Sequence, residues 1–91
     1  MGERTDDTTF RYQRIEISEN LLHELGFLQS RVRVHGDLAR IEIIPAEFEK
    51  IMKSGIREKI TEQLKNVGFA YVSLDMQGYR TGSMNETISE V

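Results

Sequence analysis

The stretch from Gln29 to Pro45, QSRVRVHGDLARIEIIP, alternates apolar and charged residues on both sides of a Gly-Asp pair, and this alternation restricts the chain more than any other feature. Side chains along a strand point to opposite faces with a period of two. Val32 and Val34 therefore face one way, and Arg31, Arg33 and His35 face the other. Ala39, Ile41 and Ile43 separate from Arg40 and Glu42 in the same manner. Gly36-Asp37 supplies residue types that tolerate the backbone angles of a hairpin turn, although this order is a weaker turn signal than Asp-Gly. The stretch predicts an antiparallel ribbon with one apolar face and one charged face.

Upstream, residues 1–9 are polar and acidic, with no apolar period and no signal-peptide pattern, and read as a tail ending at a cap supplied by Thr8 or Thr9. From Phe10 to Leu25 the residues Ile15, Leu21, Leu22 and Leu25 recur at helical spacing, and Gly26 suits the left-handed position that ends many helices. After the hairpin, Pro45 takes the favoured first position of a helix whose inward residues are Phe48, Ile51 and Met52. Ser54-Gly55 is expected to interrupt or kink it before a second segment, Ile56 to Val67, turns Ile60 and Leu64 inward. Ala70, Val72, Leu74 and Met76 alternate with Tyr71, Ser73 and Asp75 in a third strand ending at Gly78.

Leu25-Gly26-Phe27 and Val67-Gly68-Phe69 stand at corresponding places, each between a helix and a strand that leads to a further glycine, Gly36 or Gly78. Duplication explains the match, and so does the recurrent chemistry of a helix end feeding a strand. Either way the expected class is α+β: a two-layer sandwich in order α-β-β-α-β, with a three-stranded sheet, a kinked second helix and the helices on one face. The expected layout is a tail over 1–9, a single domain over 10–85, and a short terminal helix or frayed tail over 86–91. A chain of 91 residues suffices for one such core, hiding about 60 to 65% of the surface its unfolded form exposes. The expected strand order places Arg31 and Arg33 on the middle strand, straddled by the crossover through the second helix.

The face left open by the helices carries Arg31, Arg33, His35, Arg40, Glu42, Tyr71, Ser73 and Asp75. Arg31 and Arg33 have Cα atoms about 6.5 to 7 Å apart. Two guanidinium forks at that spacing can clasp one phosphate, each offering paired donors at a permanent charge, with His35 and Arg40 beside them. The competing reading is a solvated sheet face whose arginines pair with Glu42 and Asp75. Further on, Gly78-Tyr79-Arg80-Thr81-Gly82-Ser83 leads into Ser83-x-x-Glu86, the spacing of a capping box. Gly82 and Ser83 at a helix start, reinforced by Arg80, would form an anion seat. A plain turn explains the same residues, since no Walker-type phosphate loop is present.

Cysteine is absent, which removes thiolate chemistry from these residues and is compatible with a cytosolic address. His23 and His35 share no metal-ligand spacing, and no serine stands in a nucleophile elbow or beside a paired base. No catalytic residue and no metal site is assigned. No apolar run approaches the roughly 18 residues of a membrane span. The net charge of -3 and the scarcity of aromatics on the basic face argue against nucleic acid, where Tyr71 is the main stacking candidate.

Two strings, Arg31-Val-Arg-Val-His-Gly-Asp-Leu-Ala-Arg-Ile-Glu42 and Val67-Gly-Phe-Ala-Tyr-Val-Ser-Leu-Asp-Met-Gln-Gly-Tyr-Arg-Thr-Gly-Ser-Met-Asn85, resemble the C-terminal region of the LarE-type sacrificial sulfur transferases. These are ATP-using enzymes of the PP-loop pyrophosphatase superfamily, and the resemblance runs from about Thr8 to Asn85. It implies a domain that follows an adenylating PP-loop domain. In that family ATP activates the carboxylate of a nicotinic-acid-derived mononucleotide, and the enzyme's own cysteine then gives up sulfur on the way to a nickel-pincer cofactor. The resemblance further implies that the C-terminal domain supplies anion-binding groups and helps assemble oligomers. Arg31 and Arg33 match the family's arginine pair, expected to meet a phosphate, and Glu19 matches an acid expected near the active centre. Asp75 is the other candidate acid.

The chain departs from the family in lacking the S-G-G-x-D-S phosphate loop and the cysteine found upstream of this region. The expectation is therefore an accessory, phosphate-binding domain that is not catalytic alone, with a PP-loop domain or protein as partner. It is either a free-standing relative or a piece of a larger enzyme. The alternative is a module for protein interaction or self-association that docks through its charged face.

Overall fold

The computed structural model describes residues 7–80. Its elements are helix α1 (Asp7–Glu24), strands β1 (Ser30–His35) and β2 (Leu38–Ile43), a 3-10 turn (Pro45–Glu47), helices α2 (Phe48–Ile51) and α3 (Ser54–Val67), and strand β3 (Tyr71–Leu74). The α+β class and the α-β-β-α-β order are as expected. Helix α1 starts upstream of Phe10, so Thr8 and Thr9 fall within it rather than at its cap. Residues 1–6 and 81–91, including the proposed terminal helix, lie outside the described residues.

The hairpin pairs antiparallel about the Gly36-Asp37 turn as expected, with Arg31 opposite Glu42, Val32 opposite Ile41, Arg33 opposite Arg40 and His35 opposite Leu38. The strand order is β1-β2-β3, however, with β3 parallel to β2. This corrects the expectation that Arg31 and Arg33 occupy the middle strand: they lie on an edge. The reason is burial. The middle strand must be covered on both faces, and β2 has four buried and two half-buried residues whereas β1 alternates with exposed ones. The outer side of β3 has no strand partner among the described residues.

Apolar side chains from the dry face of the sheet (Val32, Ala39, Ile41, Ile43) meet Leu22, Phe27, Ile51, Ile60, Leu64 and Phe69 in one buried cluster. Phe27 and Phe69 reach it through matching helix ends. In each, a glycine of positive φ (Gly26 at 100°, Gly68 at 125°) turns the chain. The next amide then donates back to the last helical turn, Phe27 N to Leu22 O at 2.9 Å and Phe69 N to Leu64 O at 3.2 Å. Gly26 N to His23 O and Gly68 N to Lys65 O complete the same pair of bonds. This is the Schellman motif with its apolar contact, and all four of its large side chains are core residues. The repeated Gly-Phe strings thus have one geometry, and the units they belong to flank β2.

The second helix is broken rather than kinked. Lys53 is extended (φ -61°, ψ 143°) between α2 and α3, so the break falls at Met52-Lys53 and Ser54-Gly55 open α3 instead of interrupting it. Cations then bind the elements together. Lys50 Nζ donates to Gly26 O at 3.2 Å and lies 4.5 Å from the Phe27 ring, while the Arg14 guanidinium stands 5.0 Å and 4.5 Å from the Phe10 and Phe69 rings.

Beyond β3 the ladder to β2 continues with an irregularity. Asp75 N donates to Ile41 O and Tyr79 N to Ile43 O, so four residues on one chain span two on the other. The extra residues fold into a turn closed by Gln77 N donating to Asp75 Oδ1 at 2.8 Å. Gly78 permits this: its φ is +84°, and a Cβ there would lie 2.6 Å from Ile43 O. Gly36 also has positive φ, but a Cβ would meet nothing within 4 Å. Gly36→Ala should therefore cost about 1 to 2 kcal/mol of backbone strain, and Gly78→Ala about 2 to 5 kcal/mol once the clash is added. Urea midpoints of the two variants measure the difference. Leu64→Ala, which empties a fully buried site in α3, should cost about 2 to 5 kcal/mol in the same assay.

Candidate functional site

The pleat turns Arg31, Arg33 and His35 to the face opposite the buried Val32, and all three are exposed. Because β1 is an edge strand, these residues also border a cleft of about 510 Å³, lined on the α1 side by Tyr12, Ile15 and Glu19 and on the sheet side by Arg31, Arg33, His35 and Arg40. The structure thus brings four of the expected basic residues and one of the expected acids into one surface.

The charges there are partly satisfied internally. Arg33 Nε is 3.5 Å from Glu42 Oε1, Arg40 Nη2 is 3.6 Å from Glu42 Oε2, and Arg40 Nε is 3.7 Å from Asp75 Oδ2. Asp75 therefore serves as an ion-pair partner of Arg40, as the solvated-face reading required. Glu42 is the hub of this network and is only 6% exposed, although it lies on the face without helices. Arg31 differs from its neighbours: among the described residues it has no ion pair, and its guanidinium sits 5.7 Å from the Tyr79 ring. Tyr79 arrives there through the turn at Gly78, and its contact with Arg31 crosses β2 beside Glu42.

Glu19 approaches from α1. Its Oε2 accepts a hydrogen bond from Val32 N at 2.9 Å, a link over thirteen residues between the helix and the outer edge of β1. Arg80 stands apart from the cleft lining, with Nη1 donating to Gln77 Oε1 at 2.8 Å. Gly82 and Ser83 lie outside the described residues. Tyr71 is exposed at the start of β3, and the aromatic ring that meets an arginine of this face is Tyr79 instead. Sequence reasoning missed Tyr79 because the third strand was expected to end at Gly78, although Tyr79 keeps the parity of Tyr71, Ser73 and Asp75.

Among the described residues no three of His, Asp and Glu are grouped so as to hold a metal ion, and no helix is long and apolar enough to cross a membrane. A second groove, about 250 Å³, runs between β3 and the helices, lined by Ile41, Ile51, Met52, Ile60, Val72 and Leu74.

No family model matches the chain. It is 38% identical over 77 residues to the pyridinium-3,5-bisthiocarboxylic acid mononucleotide synthase of Lactiplantibacillus plantarum, covering 85% of this chain and 27% of that protein. It is 34% identical over 83 residues to an uncharacterized protein of Synechocystis sp., covering 91% of this chain and 31% of that one. The chain thus spans less than a third of the curated relatives it matches, and similarity to a LarE sulfur transferase is established for that part alone.

Two half-exposed arginines sharing one buried carboxylate make Glu42 more valuable to stability than a surface acid. Glu42→Ala should cost about 1 to 2 kcal/mol, more than the 0.2 to 1 kcal/mol of a typical exposed pair. A double-mutant cycle of Arg33→Ala with Glu42→Ala, read by urea unfolding at low and high salt, should give a coupling below about 1 kcal/mol that shrinks with salt.

Proposed function

We propose that this chain is a non-catalytic accessory domain of a LarE-like, ATP-using sulfur transferase of the PP-loop superfamily, holding the phosphate of a nicotinic-acid-derived mononucleotide. The observation that carries the reading is the placement of Arg31 and Arg33 together on the helix-free side of an edge strand, beside an open cleft. The relative's name, a mononucleotide synthase, supports a phosphate-bearing ligand. Arg31 is the leading contact, since its guanidinium is not committed to a carboxylate among the described residues. Arg33, Arg40 and His35 then add positive potential at the rim. Arg80, which stands apart from the cleft lining, is a support rather than a wall of the seat in this proposal, and ATP is handled by a separate PP-loop domain or protein.

A partner of that kind needs a docking surface. Tyr71 opens β3 and Met76 lies two residues past its end, 66% and 87% exposed, and Met52 borders the groove between β3 and the helices. These exposed apolar side chains favour the second reading, an interaction or self-association module, and the two roles are compatible in one domain.

Titration with pyrophosphate, followed by backbone amide shifts, is expected to move Arg31, Val32 and Arg33 first. Arg31→Ala should weaken binding about tenfold, the loss of one charge-assisted contact, and Arg31→Lys should recover only part of it because a lysine lacks the planar fork. Amides of β1 that stay still at millimolar pyrophosphate, or an affinity indifferent to Arg31, would remove the reading.

A further inference from the structure

An acid in the wall of an anion site is a contradiction unless its charge is used elsewhere. Glu19 lines the same cleft as Arg31, Arg33, His35 and Arg40. Yet among the described residues the ion pairs of Arg33 and Arg40 run to Glu42 and Asp75, and none runs to Glu19. The Glu19 carboxylate instead accepts the hydrogen bond from Val32 N, the amide that lies between the two arginines of β1.

The local physics makes this bond consequential. The amides on the outer side of an edge strand have no neighbouring strand to receive them. Val32 N points outward from β1, away from β2, and the strand is tied on its inner side alone by the hairpin ladder. Glu19 can impose geometry because α1 is fixed on either side of it: Ser18 and Leu22 are fully buried. The carboxylate is therefore a post on a packed helix holding the unpaired outer side of an edge strand.

We propose that Glu19 is a positioning residue for the phosphate site, holding the Arg31-Val32-Arg33 backbone so that both guanidinium groups present to one anion. It touches the ligand's binding groups through the strand and not the ligand itself. The inference rests on the phosphate-binding reading of Arg31 and Arg33, and it predicts that reach, not charge, is what matters at position 19.

Four proteins separate those variables: wild type, Glu19→Gln, Glu19→Ala and Glu19→Asp. Gln keeps an acceptor oxygen at the same reach without charge, Asp keeps the charge but falls one methylene short, and Ala loses both. If Glu19 positions, pyrophosphate affinity groups wild type with Gln, and Ala and Asp bind at least fivefold more weakly. If Glu19 acts only by its charge, Gln and Ala both bind more tightly than wild type and Asp matches wild type; that ordering, or four equal affinities, overturns the proposal.

Relaxation of the Arg31 and Arg33 Nε–H groups by ¹⁵N NMR gives a readout independent of binding and of global stability. Both groups should gain mobility in Ala and Asp but not in Gln, together with faster hydrogen exchange at Val32. Unchanged arginine mobility in Ala and Asp would overturn the proposal even if stability fell. Should wild type fail to bind pyrophosphate at all, the phosphate reading fails, and the relaxation series still decides whether Glu19 orders the pair.

Discussion

Everything in this fold depends on covering β2 from both sides. Its dry face is covered by the helices, with Ala39, Ile41 and Ile43 in the common core. Its other face has no helix, yet Glu42 there is nearly as buried as the core residues. The cover on that side is made of long basic side chains: Arg33 and Arg40 hold the carboxylate, and Arg31 reaches toward Tyr79 across the same strand. Long cationic side chains can lay their apolar stems along a sheet while keeping their heads wet. A small domain thereby gains a second, thin layer without adding chain.

The same arrangement limits the net charge of the basic face. Three arginines, Arg31, Arg33 and Arg40, face three carboxylates, Glu19, Glu42 and Asp75, so the cleft and its rim carry no formal excess of positive charge. Such a surface does not attract polyanions at long range, in keeping with a net charge of -3. Under the proposed reading, a bound anion would be held by the orientation of the guanidinium groups rather than drawn in by long-range attraction.

Much of this was legible in the sequence, and the limits have physical causes. Period-two alternation separated Val32, Ala39, Ile41 and Ile43 from the charged residues of the hairpin, and Gly26 and Gly68 marked both helix ends, because each signal is local. Strand order was misjudged because alternation tells which way a side chain points and not which strand lies next to it. The clue was the run Ile41-Glu42-Ile43-Ile44, apolar around a single acid, against the strict alternation of β1. The helix break at Lys53 has no marker of its own, while Ser54-Gly55 beside it drew the assignment one step late. The Glu19–Val32 bond was invisible for another reason: nothing in a helix pattern announces that one carboxylate will reach a strand amide.

The two borders of the sheet are unlike. On β1 an amide is already claimed by α1, whereas the outer side of β3 is bare among the described residues, with an aromatic and a thioether exposed nearby. A ribbon of copies joined side by side requires two receptive margins per molecule, one to give and one to take. The β1 margin gives Val32 N to Glu19, so a copy adding there must displace that carboxylate, while the β3 margin asks for no such exchange.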